Sequence, residues 1–559
     1  MLRFYAAFLL SLSMLLLSGC KYGPYLKYYT ARKGHYPVFL RHDRLVGSQN
    51  NFRTCYDVTH YALDVKPDFA QQRLAATMTI SFAALRNFDT LLLDLHPCYK
   101  ISSLTATTGN VRHYRKRNAL FVVFEKSQKN GSANALRISY EGKPITLAGF
   151  CPVVWNTDRH GFPWYSTICE GIGAHTLWPC KDLLYDEADS SSVSITVKNG
   201  LTAVSNGVLA KTETHGEETT FYWKASNPIN VYNISFAVGN FKKVTKVYEN
   251  ATGPHELTFY LLAHRAADGE KHLEQLKDMF AFMENTFGEY PWYNDGYKLV
   301  QTPGDASMEH QTSIHYSGIF RNNGMGIDGL LLHETAHEWF GNSITAADYG
   351  DLWLHESFAT YCEWLYTGHV SKPEHYEGFV SYYLANTGGK IMHNKVPIAK
   401  KTGVRYMALV ANRDQDIYAK GAAVMHSLRW TFQDDSLFFG MMKSYYQAHK
   451  NSQVTTADFI AHVNRYTGKD YGWFFDQYIF DYRVPELDYS VTRVGGNQKL
   501  SFRWKNTVSG FTKMPVRVIC GGESRLIYPS EKRQDVVLCG TGDITFFGAG
   551  GYCEYRTKK

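Results

Sequence analysis

Several things are scarce in this 559-residue chain. After the first twenty residues no apolar run reaches the ~20 residues a spanning helix needs, so the body of the chain is expected to be soluble. No Cys-x-x-Cys pair occurs among the ten cysteines, which removes the common thiolate metal clips. No basic run with interleaved aromatics is present and the formal charge is only +7, so nucleic acid is not an expected partner. Internal repeats and low-complexity segments are missing too. What remains is ordinary globular composition, 44% hydrophobic and 20% charged, with an unusual wealth of tyrosine (39 residues). At roughly 100–200 residues per domain, three or four domains are expected.

The start of the chain, "MLRFYAAFLLSLSMLLLSGC", has one positive charge at Arg3 and an apolar run over Phe4–Leu17. That is the length of a signal-peptide core. The ending Leu-Ser-Gly-Cys resembles a bacterial lipobox, which implies export, lipid attachment at Cys20 and a soluble body tethered to a membrane in the cell envelope. A plain secretory signal with an incidental cysteine is the alternative. Cys520 and Cys539 lie in neighbouring strand-like segments and are one candidate disulfide among several.

Residues 1–20 thus read as a lipoprotein signal and the Tyr- and Lys-rich residues 21–50 as a tether. From 51 to 246, short alternating segments such as "LAATMTISF", "ALFVVFE" and "SVSITV" predict an all-β domain. The period changes near 265, where Leu273, Leu276, Met279, Phe280 and Met283 form a helical stripe. Residues 247–485 read as mainly helical with a few strands first, including helices at about 326–341, 351–367 and 418–432. Alternation returns over 486–559, a small C-terminal β domain.

Within the helical region, His333 and His337 are four apart, so on a helix their imidazoles project from one face about one turn apart. Leu330, Leu331 and Leu332 make the helix look buried, and Gly341-Asn342 would end it as a C-cap does. Unpaired His and Glu would be costly in such a place. A second helix, "LWLHESFATYCEWL", follows and brings Glu356, with 18 residues between it and His337. Two His and one Glu leave a fourth position on a zinc ion for water, the catalytic rather than the structural arrangement. Glu334 sits where it can hold that water.

With "HEWFGN" and "DLWLHESFATY" on its flanks, this stretch resembles the zinc helices of the M1 aminopeptidases, a gluzincin family with the signature HExxH-x18-E. The resemblance covers nearly all of the chain after about residue 50. It implies a saddle-like N-terminal β domain, a thermolysin-like zinc domain and a β-sandwich, binding one Zn2+. The chain ends after the β-sandwich segment, so it also implies a form without the family's long helical domain and with a more open cleft. "DASMEHQT" resembles the family's GAMEN motif and puts Glu309 at the position that holds a substrate's α-ammonium. His310 replaces the motif's Asn, and either side chain can donate a hydrogen bond. "TICEGIGAHTLWPCKD" matches a second family segment through Thr167, Glu170, Ala174, Pro179, Cys180 and Asp182, which puts Glu170 at the other amine-binding position. "DIYAKGAAVMHSL" resembles the segment carrying the catalytic Tyr, here Tyr418.

The resemblance therefore implies an aminopeptidase acting on peptides with a free N-terminus. Glu334 is the general base, Tyr418 an oxyanion donor, and Glu170 and Glu309 the readers of the amine. An endopeptidase, an epoxide hydrolase or a silent lipid-anchored binding protein are the rival readings. Asp305, just before the GAMEN-like segment, implies a tilt towards basic N-terminal residues.

Overall fold

The computed structural model describes residues 49–145, 151–304, 307–390, 416–538, 542–547 and 550–557. Cys20, most of the 21–50 tether, Asp305 and Cys539 lie outside the described residues. Among the described residues no helix is long and apolar enough to cross a membrane.

The N-terminal part is built of strands. Its largest sheet has seven, in the order 208–215, 218–225, 190–198, 56–68, 73–84, 133–142 and 99–106. Neighbours are antiparallel except for Tyr56–Asp68 beside Ser190–Lys198. The two-residue period of a strand sends Tyr61, Leu63 and Val65 to the buried face, opposite Ile80 and Met78 of the next strand. Two smaller sheets share the core of this large sheet, one of four strands (202–205, 236–239, 163–167, 153–157) and one of three.

A second unit opens with a four-stranded mixed sheet, 241–250, 253–262, 297–301 and 314–316. Phe241–Asn250 and Gly253–Leu262 are paired along their whole length as one hairpin. The division anticipated at 246/247 therefore cuts through a hairpin, because alternation alone does not say which sheet a strand joins. Helices follow: α1 (Gly329–Ala336), α2 (Trp353–Val370) and α3 (Gly421–Phe432), with Pro373–Lys390, Asp435–His449, Thr456–Thr467 and Gly472–Tyr478 around them. The last strands form a four-stranded sheet and a three-stranded sheet that share a core containing Leu487, Leu500, Trp504 and Val518. This part docks onto α3, where Trp430 Nε1 donates to Pro515 O at 2.9 Å and Tyr552 N to Ser427 Oγ at 2.8 Å.

The edge strand Ile314–Tyr316 positions the site. Met308 and His315 exchange two main-chain hydrogen bonds of 2.9 Å, so residues 308–315 fold back as a tight hairpin and present Glu309 beside the edge.

Candidate metal centre and amine pocket

Helix α1 is short and firmly started. Asp328 caps it, accepting from Leu331 N at 3.0 Å, while its other oxygen accepts from the Tyr316 hydroxyl at 2.5 Å. The helix ends at Ala336, earlier than the 341 expected, and His337 is its C-cap. Leu331 and Leu332 are fully buried, but Leu330 is 39% exposed, so two of the three leucines carry the packing. Gly341 has φ +135°, and a Cβ there would lie 3.0 Å from His337 Nδ1. A glycine is required both by that backbone conformation and by the imidazole against it.

The two imidazoles are oriented by their far nitrogens. His337 Nδ1 faces Phe340 O at 3.0 Å, and His333 Nδ1 faces Glu363 Oε1 at 2.9 Å. A donor N–H at each Nδ1 leaves the Nε2 lone pairs directed at one point. At that point His333 Nε2 and His337 Nε2 are 3.2 Å apart, and Glu356 Oε2 is 3.3 and 3.4 Å from them. Ligands bound ~2.0–2.1 Å from a tetrahedral zinc lie roughly 3.3 Å from each other, so this donor set fits one such ion in size and in chemistry. The helix-loop-helix expected from sequence does bring His333, His337 and Glu356 together.

A second group overlaps the first: Glu309, Glu334 and His337 offer ligand atoms within 4.8 Å of one another. Glu334 is only 6% exposed, and burial pushes its carboxyl up to about 8 against the opposing charge of His333 and His337. Burial pushes the Glu356 carboxyl up as well, but hydrogen bonds and charge from His333 and His337 outweigh it and hold the group well below the usual range. For Glu170, burial and then the charges of Glu309, Glu356 and Glu334 all raise the carboxyl, with only His333 opposing among the main influences. Glu170 Oε1 is buried and has no hydrogen-bond partner. The loop that carries it turns through two left-handed glycines, Gly171 (φ 72°) and Gly173 (φ 89°).

Tyr418 lies in a π-turn, Asp416–Lys420, that leads into α3. Its ring stacks on His333 with centroids 6.0 Å apart, and its phenol hydrogen-bonds the Glu356 side chain. Burial, followed by the charge of Glu356, keeps that phenol protonated. Its height is set by close packing against α2. Ser357 Oγ donates to Ile417 O at 2.6 Å, and a Cβ on Gly421 would fall 1.5 Å from Ser357 Oγ.

His310 does not do what its place in the motif suggests. It is fully buried with no partner for either ring nitrogen, and its ring packs edge-on against His315 at 4.3 Å. It fills space and does not donate a hydrogen bond. Other residues were not anticipated. Glu363 lies seven residues after Glu356, two turns along the same helix face, and that spacing could have revealed it. Tyr232 and Asn233 carry no such signal, and Asn342 was expected only as part of the helix end.

A β-sheet domain ahead of a helical body, with two imidazoles and a carboxylate converging from consecutive helices, is the layout of a zinc metallopeptidase. Residues 57–232 match the Peptidase M1 N-terminal domain and residues 272–478 the Peptidase family M1 domain. The chain belongs to peptidase family M1. It is 26% identical over 351 residues to glutamyl aminopeptidase of Rattus norvegicus, covering 58% of this chain and 36% of that protein. It is 24% identical over 351 residues to aminopeptidase B of Mus musculus, covering 57% and 51%. The chain thus spans about a third to a half of the length of these curated relatives. The crystal structure of an M1 zinc metallopeptidase from Deinococcus radiodurans superposes with a TM-score of 0.63 at 22% identity, over 74% of this chain and 90% of that one. A mutant of that enzyme bound to a Tyr-Ser-Ala substrate superposes equally, at 21% identity over 78% and 94%.

Proposed function

We propose that this protein is a zinc-dependent aminopeptidase that releases single N-terminal residues from peptides. The observation that carries this reading is the convergence of His333, His337 and Glu356 next to buried Glu170 and Glu309, whose charges reach one another. A bound zinc ion would act as a Lewis acid towards a water molecule and the substrate carbonyl. Glu334 takes a proton from the attacking water and returns it to the leaving amine. The protonated Tyr418 phenol donates to the oxygen that gains charge as the carbonyl is attacked. Glu170 and Glu309 accept the N–H groups of the substrate's α-ammonium. An internal or acetylated nitrogen supplies no cation there and leaves the two carboxylates buried and unpaired, which disfavours internal cleavage.

The curated relatives are named as aminopeptidases, which supports the same reading. A panel of aminoacyl arylamides with free and N-acetylated termini tests it. Free termini should be cut, acetylated ones should not, and Glu334→Ala should be silent while still binding zinc. Equal cutting of both forms would point to an endopeptidase instead. We also infer lipid attachment at Cys20, on the signal-like sequence before it. Metabolic labelling with palmitate should mark the wild type and not Cys20→Ala; unlabelled wild type would discard the anchor.

A further inference from the structure

Glu309 is held from outside its own segment. Two consecutive residues of the β domain reach it by separate routes. The Tyr232 hydroxyl donates to Glu309 Oε1 at 3.1 Å. The Asn233 amide donates to Asn342 Oδ1 at 2.7 Å, and Asn342 Nδ2 donates in turn to the main-chain oxygen of Glu309 at 2.8 Å. The same Asn342 nitrogen lies 3.3 Å from Glu338 Oε2. Because that nitrogen faces two acceptors, the Asn342 oxygen must be the atom that meets Asn233, and Asn233 must present its NH2. Tyr232, Asn233, Asn342 and Glu309 are all between 0% and 3% exposed, so water cannot replace a lost partner.

The neighbouring backbone explains why such ties are needed. Thr312 has φ +59°, a conformation unfavourable for a β-branched residue. It is held from both sides: Glu338 Oε1 accepts from Thr312 N at 2.8 Å, and Thr312 Oγ1 accepts from Gly207 N of the β domain at 2.8 Å. Asn206 bridges the two units once more, donating to Asn233 O at 2.9 Å and to Gln311 O at 2.6 Å. Asn342 follows His337 by five residues on the stretch leaving α1. One amide therefore links the exit of the helix bearing the metal donors to the backbone of the carboxylate proposed to read the amine.

We propose that Tyr232 and Asn233 are positioning residues for amine recognition. Tyr232 holds the carboxyl group of Glu309, and Asn233, through Asn342, holds the backbone from which it projects. Together they set the distance between the amine and the metal donors, and so place the first peptide carbonyl, not the second, for attack. This inference rests on the aminopeptidase reading above.

The test uses the full zinc-loaded chain, an aminoacyl arylamide and a tetrapeptide whose products are resolved by mass spectrometry. Tyr232→Phe and Asn233→Leu each remove one donor at nearly constant volume. Each should raise KM for the free-amine substrate by roughly 10- to 100-fold, the range for losing a hydrogen bond to a charged or buried group. The kcat should fall by less than KM rises, since amine binding is the main loss and the carbonyl is misplaced only in the slipped register. Zinc content should be unchanged, and dipeptide should begin to appear among the tetrapeptide products. Asn227→Ala is the control. It cuts another tie between the same two units, Asn227 Nδ2 to Asp295 at 2.7 Å, away from Glu309, and should leave KM alone. If Asn233→Leu does not fold, Tyr232→Phe decides. Unchanged KM in the variants of an active wild type overturns the inference, as does loss of kcat or zinc with KM constant, which marks a merely structural role. A wild type that releases no N-terminal residue overturns the functional reading itself and this inference with it.

Discussion

The metal donors come from one stretch, residues 333–356, and arrive on two consecutive helices. The carboxylates of the proposed amine pocket come from different units, Glu170 from a β-domain loop and Glu309 from the hairpin beside an edge strand. Their electrostatics differ in the same way. Glu356 is buried with two imidazoles against it and stays well below the usual carboxylate range. Glu170 is buried among other carboxylates, has an oxygen without a partner, and is driven well above it. The metal side is nearly complete within itself. The other side has more buried acid than nearby positive charge, which is why we propose that a cationic substrate group completes it. That contrast suits a site in which one part does the chemistry and the other chooses the substrate.

The largest expected effect falls on the metal side. Stripping zinc with a chelator should cut activity by about 10³-fold or more, and added Zn2+ should restore it. Full activity in metal-free protein, checked by elemental analysis, would erase the distinction between the two sides. Next comes Tyr418→Phe, expected to lower kcat by about 10²–10³ with KM little moved. An effect confined to KM would move Tyr418 from the chemistry to the amine side. Glu170→Gln should do the converse. It should raise KM for free-amine substrates roughly 10- to 100-fold and shrink the preference over N-acetylated ones. If kcat alone falls, Glu170 does not read the amine.

The smallest effect isolates what burial does to a carboxyl with no substrate to meet it. Glu187 accepts from Gln453 Nε2 at 2.8 Å between the β domain and the helical unit, and burial pushes it up to about 7. Its folded-state pKa lies above the unfolded ~4.3, so between those values the folded protein binds more protons. Stability should therefore fall as pH rises from about 4.3 to 7 and be level above that as far as this group is concerned. Glu187→Gln should flatten that part of a Tm-versus-pH curve by a few degrees. An unchanged curve would show that burial there is too weak to matter.

Much of the fold is legible in the amino-acid order. The strands of the β domain follow the alternation of segments such as Leu74–Phe82 and Val193–Val197, and Asp435–His449 is a helix as its pattern demands. Helical spacing alone puts His333 and His337 on one face, and helix-loop-helix connectivity returns Glu356 to them. These features are local: 3.6- and 2-residue periods act over a few turns or pairs. Where local pattern misleads, packing overrules it. Helix α1 stops at Ala336 although apolar residues continue, because Gly341 and the Phe340 carbonyl turn the chain around His337. His310 replaces a hydrogen-bonding residue yet packs on His315 without donating.

By itself, then, the sequence determined the order of β and helical parts, the donor chemistry of His333, His337 and Glu356, and the resemblance that singles out Glu170, Glu309 and Tyr418. Only the tertiary structure decided how these groups meet. The approach of Glu356 to the two imidazoles at 3.3 and 3.4 Å, the stacking of Tyr418 on His333, and the tie from Asn233 through Asn342 to Glu309 all join side chains from different elements of the chain. Such contacts leave no period in a sequence. They exist because buried polar groups must find partners once the core has closed around them.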